Sequence, residues 1–278
     1  MRARPSLLYV TDLAYQARGR RYCDEDIHLS SRLRADFDIA LCHPLDAVAL
    51  MDGFDAVVVR NSGPVLHYQK EYDAFRDQAV ARGTRVYNPL TGRADMKGKQ
   101  YLLDLTEAGY PVIPTIDRPG DLGRLPETAL YAAKPKAGAD SIGLSFVSRE
   151  ELEGQDWGDI LVQPRIDFRY EVSFYYVDDD CQYALHAPDP GRRWVLEPYE
   201  PTAADLAFAR RFIDWNTIDH GIQRVDACRT QDGDLLLVEL EDLNPYLSLD
   251  LVPDRTRDAF VTSMTTSLRR FLAAGPRT

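Results

Sequence analysis

An acidic strand close to the end of the chain limits the possible folds more than any other feature. Residues 235–240 are almost wholly apolar, which is typical of a buried strand, but Glu239 lies within this run and Glu241 follows it. Successive side chains of a strand alternate between faces, so both glutamates share one face while Leu240 lies on the other. Two close carboxylates repel each other unless a cation lies between them. The run therefore indicates a metal site, and an acidic edge strand kept soluble by its charges is the alternative.

A predicted hairpin adds a third acid to this pair. Asp226 precedes the strand, and the intervening Asp232-Gly233 is a strong signal for a tight β-turn. Pairing across that turn would bring Asp226 alongside Glu239 and Glu241. Three hard oxygen ligands on neighbouring strands suit magnesium, which combines few carboxylates with phosphate oxygens and water. The sequence therefore predicts a magnesium site built on a hairpin.

The composition is that of an ordinary soluble globular protein and argues against several functions. With 278 residues the chain is long enough for about two domains. Its net charge of -11 argues against broad binding to nucleic acid or to an anionic membrane, because both need a positive surface. No apolar stretch reaches the roughly 18 residues of a spanning helix and no signal-peptide pattern is present, so we expect a cytoplasmic protein. The cysteines lack the CxxC spacing of zinc sites and give no disulfide pattern; they are Cys23, Cys42, Cys181 and Cys228.

The first ninety or so residues alternate between strands and helices, which predicts a small parallel α/β unit. The predicted strands are 7–10, 37–41, 56–60 and 84–87, and the predicted helices are 24–33 and 68–82. Ligands of such sheets bind beyond the carboxyl ends of the strands. Arg60 lies at such an end, so it is a candidate for binding a substrate carboxylate; an ordinary surface arginine is at least as consistent with the sequence.

The remainder has the pattern of an α+β region whose strands are mostly antiparallel. The predicted strands before the hairpin are 129–135, 144–147, 160–164 and 171–177, and the predicted helices are 99–108, 202–215 and 255–272. The fold class is therefore α/β followed by α+β.

Two lysines are candidates for binding phosphate. Lys134 ends a hydrophobic strand and precedes a loop of small residues that includes Gly138 and Ser141, and the backbone N–H groups of such a loop can cradle phosphate. An edge lysine before a flexible turn is the alternative. Lys99 provides a second basic point, but the segment around it is no P-loop, because five residues instead of four separate its glycines and Gln100 replaces the Ser or Thr.

Nucleophilic catalysis has little support in the sequence. There is no Gly-x-Ser-x-Gly turn, no cysteine lies in a recognisable signature, and the histidines have no paired spacing that would suit a metal. His186 lies at a predicted strand end and is a candidate for orienting a substrate; a structural or surface histidine is the commoner case for such a position.

In their order along the chain, these motifs resemble the ATP-grasp superfamily, in particular the glutathione synthetase and ribosomal-protein glutamate ligase type. The resemblance covers about residues 88 to 253. It depends on Lys99 in the first helix after Asn88, on Lys134 before a glycine loop, and on Asp226 followed by the closing pair Glu239 and Glu241. It implies an ATP-grasp fold with an N-terminal parallel α/β domain (1–90) and two ATP-binding lobes, a central one with the phosphate loop (91–165) and a C-terminal one with the metal site (166–278).

The resemblance also implies a role for each motif residue. The ATP phosphates would be bound by Lys99, Lys134, Gly138 and Ser141, and two Mg²⁺ by Asp226, Glu239 and Glu241. The adenine hinge would comprise Gln163, Pro164, Arg165 and Ile166, followed by Glu171 on the next strand. An acyl phosphate would be stabilised by Arg193 or Arg224. The candidates for contact with the substrate are His186 and Asn244, together with Arg60 from its place at a strand end outside the resemblance. The chain departs from the family pattern at Glu241, where many relatives have Asn, and at Tyr170, where many have Gly.

The implied activity is that of an ADP-forming carbon–nitrogen ligase. Such an enzyme phosphorylates a carboxylate with ATP and lets a nitrogen attack the acyl phosphate. The short chain and the short loop of residues 187–194 suit a small amino-acid-like substrate, and ring-closing relatives, as in cycloserine formation, resemble this compact plan. The alternatives are a ligase that joins two amino acids, a phosphotransferase, and a non-catalytic nucleotide-binding module. The sequence leaves the substrate and the oligomeric state open.

Overall fold

The N-terminal part forms a four-stranded parallel sheet, as the alternation of strands and helices predicts. The structure is a computed structural model that describes residues 4–17, 20–60, 65–136, 143–154 and 157–274. The elements of this part are β1 (Ser6–Val10), β2 (Gln16–Ala17), β3 (Arg20–Arg21), α1 (Cys23–Leu33), β4 (Asp38–Cys42), α2 (Ala47–Leu50), β5 (Ala56–Val59), α3 (Gln69–Arg82) and β6 (Val86–Tyr87). The strand order is β4-β1-β5-β6, and β2 and β3 form a small separate ribbon. Helix α3 ends at Gly83, whose positive φ of 66° favours glycine.

A small antiparallel sheet occupies the middle of the chain. It is preceded by α4 (Tyr101–Glu107), and its elements are β7 (Tyr131–Pro135), β8 (Ser145–Val147), α5 (Arg149–Glu153) and β9 (Ile160–Pro164). The strand order is β8-β7-β9. This sheet has a hydrophobic core of its own, which includes Tyr131, Leu152, Trp157 and Val162.

The C-terminal part is a five-stranded antiparallel sheet with two long helices. Its elements are β10 (Phe168–Val177), β11 (Asp180–Ala187), β12 (Glu197–Tyr199), α6 (Ala203–Asn216), β13 (Ile222–Thr230), β14 (Leu235–Glu241) and α7 (Asp254–Ala273). The strand order is β12-β11-β10-β13-β14. Strands β13 and β14 form the predicted hairpin, and Gly233 in its turn has a φ of +98°. The mixed architecture, with one parallel sheet of four strands and antiparallel sheets of three and five strands, confirms the predicted fold class.

The two faces of the C-terminal sheet have different neighbours. One face packs with α4 and α6 in a single core that includes Leu102, Phe174 and Phe212. The other shares a core with the N-terminal sheet, because residues of β1 and β10 pack together with Phe260 and Met264 of α7. Helix α4, which the sequence assigns to the central lobe, thus packs in the core of the C-terminal sheet; the domain boundaries themselves stay a prediction. Among the described helices, none is both long and apolar enough to cross a membrane.

Candidate active site

The β13–β14 hairpin places three carboxylates on one face of the sheet. In its register Asp226 lies opposite Glu239, and Arg224 lies opposite Glu241. Each of the three acids has a carboxylate oxygen within 4.8 Å of the other two, close enough to share one cation. Strand β14 is at the sheet edge, but the side chains of Glu239 and Glu241 are only 26% and 16% exposed. Acids that serve only solubility would be exposed, so the geometry favours the metal interpretation.

Cationic side chains surround the three acids. The Lys99 Nζ lies 2.9 Å from an oxygen of Glu239. Arg224 donates hydrogen bonds to both oxygens of Asp226, at 2.9 Å from Nε and 2.8 Å from Nη2, and it also donates to Glu241. These contacts balance the repulsion between acids that are largely removed from water.

The electrostatics differ between the two glutamates. Burial raises the pKa of Glu241 to about 8, and the charges of Asp226 and Glu239 act in the same direction while Arg224 opposes them. Burial would also raise the pKa of Glu239, but the positive charges of Lys99 and Lys134 outweigh it and hold that pKa below its usual value. Glu239 is therefore more strongly ionised than Glu241. A divalent cation would favour the charged form of both.

Lys134 completes the basic side of the site. It lies on β7 and is half-buried, and burial together with the charge of Lys99 lowers its pKa to about 8. A lysine in such surroundings gains most from an anionic ligand, because the ligand restores the charged form. The loop that follows Lys134 was predicted to contribute Gly138 and Ser141, and both lie outside the described residues.

The segment that positions Lys99 is fixed to the end of β14. The buried carboxylate of Asp242 accepts hydrogen bonds from the backbone N–H groups of Ala94 and Met96, at 3.1 and 2.9 Å. In return, Asp95 accepts from the backbone N–H of Asp242 at 2.6 Å. Sequence reasoning missed both acids. Asp242 directly follows the metal motif, which was the available signal, but nothing in the sequence pairs it with Asp95.

Arg193 and Glu171 form an ion pair at the side of the site. The Arg193 Nε lies 2.6 Å from a carboxylate oxygen of Glu171. Glu171 is on the same face of β10 as Ser173, which lies opposite Asp226, so this pair and the three acids face the same space. Burial raises the pKa of Glu171 in spite of Arg193. The roles predicted for both residues stay predictions.

The structure corrects the prediction for His186. This histidine lies directly opposite Val172, and directly paired residues share a face. Val172 belongs to the core that packs with α6, on the face opposite to Asp226. The imidazole lies between the rings of Tyr170 and Tyr199, with centroids 5.5 and 5.2 Å away. His186 therefore cannot contact a substrate at the acidic face.

The structure also corrects the prediction for Arg60. Its side chain is buried, with residue exposure of 1%, and the guanidinium is bound to Glu25 and Asp26 of α1 at 3.1 and 3.3 Å. A further hydrogen bond of 2.9 Å goes to the carbonyl of Pro245. Arg60 thus joins the N-terminal sheet to the loop after β14. Its buried guanidinium is held by these internal contacts and does not face a substrate carboxylate. Asn244 lies in that same loop, half-buried, and its predicted role stays a prediction.

The predicted adenine hinge lies at the end of β9. The side chain of Gln163 is buried, and its amide donates a hydrogen bond of 2.8 Å to Thr115 Oγ1. It therefore points toward the segment that contains Thr115. The backbone N–H of Arg165 donates a hydrogen bond of 3.1 Å to the carbonyl of Leu130. Pro164 pairs with Tyr131 of β7. The adenine contact predicted for the stretch from Gln163 to Ile166 stays a prediction.

The fold of the chain matches that of ATP-grasp ligases. No protein-family model matches the chain. The cycloserine biosynthesis protein DcsG of Streptomyces lavendulae is 26% identical over 252 residues, an alignment that covers 77% of this chain and 84% of that protein. The crystal structure of D-cycloserine synthetase DcsG matches with a TM-score of 0.75 and 22% identity, covering 96% of this chain and 99% of that one.

Two other solved structures extend the comparison. D-alanine–D-alanine ligase from Bacillus anthracis, complexed with ATP, matches with a TM-score of 0.64 and 14% identity over 98% of this chain and 100% of that one. The ATP-grasp ligase PsnB, complexed with a precursor variant, Mg and ADP, matches with a TM-score of 0.62 and 17% identity over 95% and 99% of the two chains. Together these likenesses confirm the ATP-grasp fold and the resemblance seen in the sequence.

Proposed function

We propose that this protein is an ATP-dependent carbon–nitrogen ligase that activates the carboxylate of a small amino-acid derivative as an acyl phosphate. The observation that supports the activity best is the convergence of Lys99 and Lys134 on the acidic group formed by Asp226, Glu239 and Glu241. A basic side for phosphate oxygens and an acidic side for magnesium are the two halves of an ATP site. The likeness to DcsG supports the choice of substrate class.

In the proposed reaction the residues of the chain position the reactants and neutralise charge. Lys99 and Lys134 would bind the phosphates of ATP, and Arg193, whose charge acts on Lys134, would stabilise the acyl phosphate. Asp226, Glu239 and Glu241 would hold the magnesium, with two ions as the expected number. Magnesium neutralises phosphate oxygens and aligns them. No covalent nucleophile of the protein is needed, because holding the carboxylate in line with the transferred phosphate can provide much of the rate enhancement.

The nitrogen that attacks the acyl phosphate is proposed to belong to the same molecule. One structure with the same fold, at a TM-score of 0.75, is a D-cycloserine synthetase, whose name describes a small cyclic product. Ring closure requires a single small substrate besides ATP. A ligase that joins two molecules is the main alternative, since the D-alanine–D-alanine ligase shares the fold.

An ADP-release screen over amino acids and their derivatives tests this proposal. We expect ADP and phosphate to appear with one amino-acid derivative alone, and mass analysis to show a product lighter than that substrate. A product heavier than either substrate, formed only when a second amine is present, would replace ring closure by two-substrate ligation. A stable phosphorylated product would indicate a phosphotransferase, and no turnover across the whole panel would favour a nucleotide-binding module.

A further inference from the structure

We infer that a backbone hydrogen bond between Lys99 and Lys136 sets the spacing of the two lysines proposed to bind the ATP phosphates, and that Gly98 is the positioning residue that makes this bond possible. The inference rests on the proposed function and deepens it, because it concerns how the nucleotide site is assembled from two parts of the chain.

The two phosphate lysines belong to different parts of the fold. Lys99 directly precedes α4, whose apolar side chains lie in the core of the C-terminal sheet, and its Nζ lies 2.9 Å from an oxygen of Glu239. Lys134 lies on β7 of the small central sheet, which has a core of its own. The distance between the two ammonium groups therefore depends on the contacts that join these two parts.

A backbone contact joins the two parts beside both lysines. The backbone N–H of Lys99 donates to the carbonyl of Lys136 at 2.9 Å. Lys136 is two positions after Lys134, and its own N–H donates to the carbonyl of Asp159 at 2.8 Å, which extends the pairing of β7 with β9. The Nζ of Lys136 also pairs with Asp117 at 3.0 Å. Lys136 is therefore held firmly on the central sheet and can fix the position of Lys99.

Gly98 has the backbone conformation that this contact requires. Its φ of +82° and ψ of 176° lie in a region that is essentially restricted to glycine. A Cβ here would lie at an ordinary contact distance of 3.4 Å from the carbonyl oxygen of Lys136, so the conformation and not the space excludes a side chain. The N–H of Gly98 donates to the carbonyl of Asp95 at 2.8 Å, which fixes the preceding turn. An alanine would therefore have to rotate the peptide group that carries the Lys99 N–H.

The spacing matters because the two lysines repel each other. Burial, and next the charge of Lys99, lowers the pKa of Lys134, so the two ammonium groups are near neighbours. A hydrogen bond between neutral backbone groups can hold them together without adding a competing charge. A site that is preorganised in this way loses less free energy when the polyphosphate binds.

Calorimetric titration with the ATP analogue AMP-PNP and Mg²⁺ tests the inference and needs no carboxylate substrate. We expect G98A to bind AMP-PNP about fivefold more weakly than the wild type, the equivalent of one backbone hydrogen bond. In the K134M background the same substitution should cost less than about twofold, because spacing no longer matters once one of the two charges is removed.

G109A is the matched control. Gly109 follows the other end of α4 with a φ of +69°, and a side chain there would meet no atom within 4 Å. G109A should therefore lower the unfolding temperature, as G98A does, and leave the affinity for AMP-PNP unchanged. An equal loss of affinity in both variants would indicate a general effect on the fold and would overturn the role of Gly98.

The outcomes separate this inference from the proposed function. Wild-type affinity in G98A overturns the inference alone, and so does an equal loss in the wild-type and K134M backgrounds. If K134M binds too weakly to measure, the comparison of G98A with G109A decides. No binding of AMP-PNP by the wild type overturns the proposed function and the inference together. If G98A cannot be purified, D117N decides, because it releases the side chain of Lys136: weaker binding supports the inference, and unchanged or tighter binding overturns it.

Discussion

Asp242 is expected to be the residue that most strongly couples the phosphate side of the site to the fold. Its buried carboxylate accepts three hydrogen bonds, from the backbone N–H groups of Ala94 and Met96 and from the side-chain amide of Asn216 at 3.0 Å. Replacement by alanine removes the acceptor of all three hydrogen bonds, although the Asn216 amide keeps its bond to Gln223 at 2.8 Å. Hydrogen bonds to a charged group contribute roughly 1.5–3 kcal/mol each, so the gross loss is about 5–9 kcal/mol.

Part of that loss is offset by a neighbouring acid. Burial, and then the charge of Asp242, raises the pKa of Asp95 well above its usual value, so removing Asp242 relieves a repulsion. We therefore expect Asp242→Ala to lower the free energy of unfolding by about 3–5 kcal/mol, at the upper end of single substitutions. The KM for ATP should rise as well, because the segment that positions Lys99 loses its anchor.

Urea unfolding followed by circular dichroism measures the free energy, and the slope of the transition checks that both variants unfold in the same manner. Asp77→Ala is a suitable control, since that side chain is 72% exposed and its ion pair should contribute less than about 1 kcal/mol. A loss below about 1 kcal/mol in Asp242→Ala would refute the reasoning from its hydrogen bonds.

Three further predictions concern Glu239 and Lys134 of the candidate active site and Glu25, which pairs with Arg60. Glu239→Gln should abolish magnesium-dependent ADP release while circular dichroism shows an intact fold; near-normal turnover would contradict its role as a metal ligand. Burial raises the pKa of Glu25 from 4.5 to about 7, so the folded state binds a proton that the unfolded state releases, and stability should fall by roughly 3 kcal/mol between about pH 4.5 and 7. Thermal unfolding across that range should show a flatter profile for Glu25→Gln, and an unchanged profile would contradict the assignment. Since burial lowers the pKa of Lys134 to about 8, KM for ATP should rise above that pH in the wild type but not in Lys134→Arg, where the charge persists; equal pH profiles would contradict it.

Local signals explain why the acidic site could be predicted from the sequence. The Asp232-Gly233 turn predicts the hairpin, but Glu239 lies opposite Asp226 because the register shifts by one residue between Asp226 and Ala227, an irregularity that the sequence does not reveal. The order of the lysine and acid motifs then predicted the ATP-grasp fold, which the comparisons confirm. Each of these signals lies within a short stretch or depends on the order of motifs alone.

Arg60 and His186 show what such signals cannot provide. The environment of Arg60 depends on Pro245, which is 185 positions away, and no local pattern predicts that contact. The face of His186 depends on the register of β10 and β11, and that register shifts at an irregularity between Tyr175 and Tyr176. A single-residue shift reverses the side on which a side chain lies. Strand-end position alone therefore could not place this histidine.

The core that α7 shares with the N-terminal sheet has a consequence for the order of folding during synthesis. Leu7 and Tyr9 are synthesised before Phe260 and Met264, which pack with them in the same core. Until α7 emerges, this core lacks the apolar side chains of that helix, although those of α1 already pack there. The apolar side chains that α7 covers therefore stay partly exposed in the nascent N-terminal region. An isolated fragment of residues 1–90 should aggregate unless α7 is supplied with it.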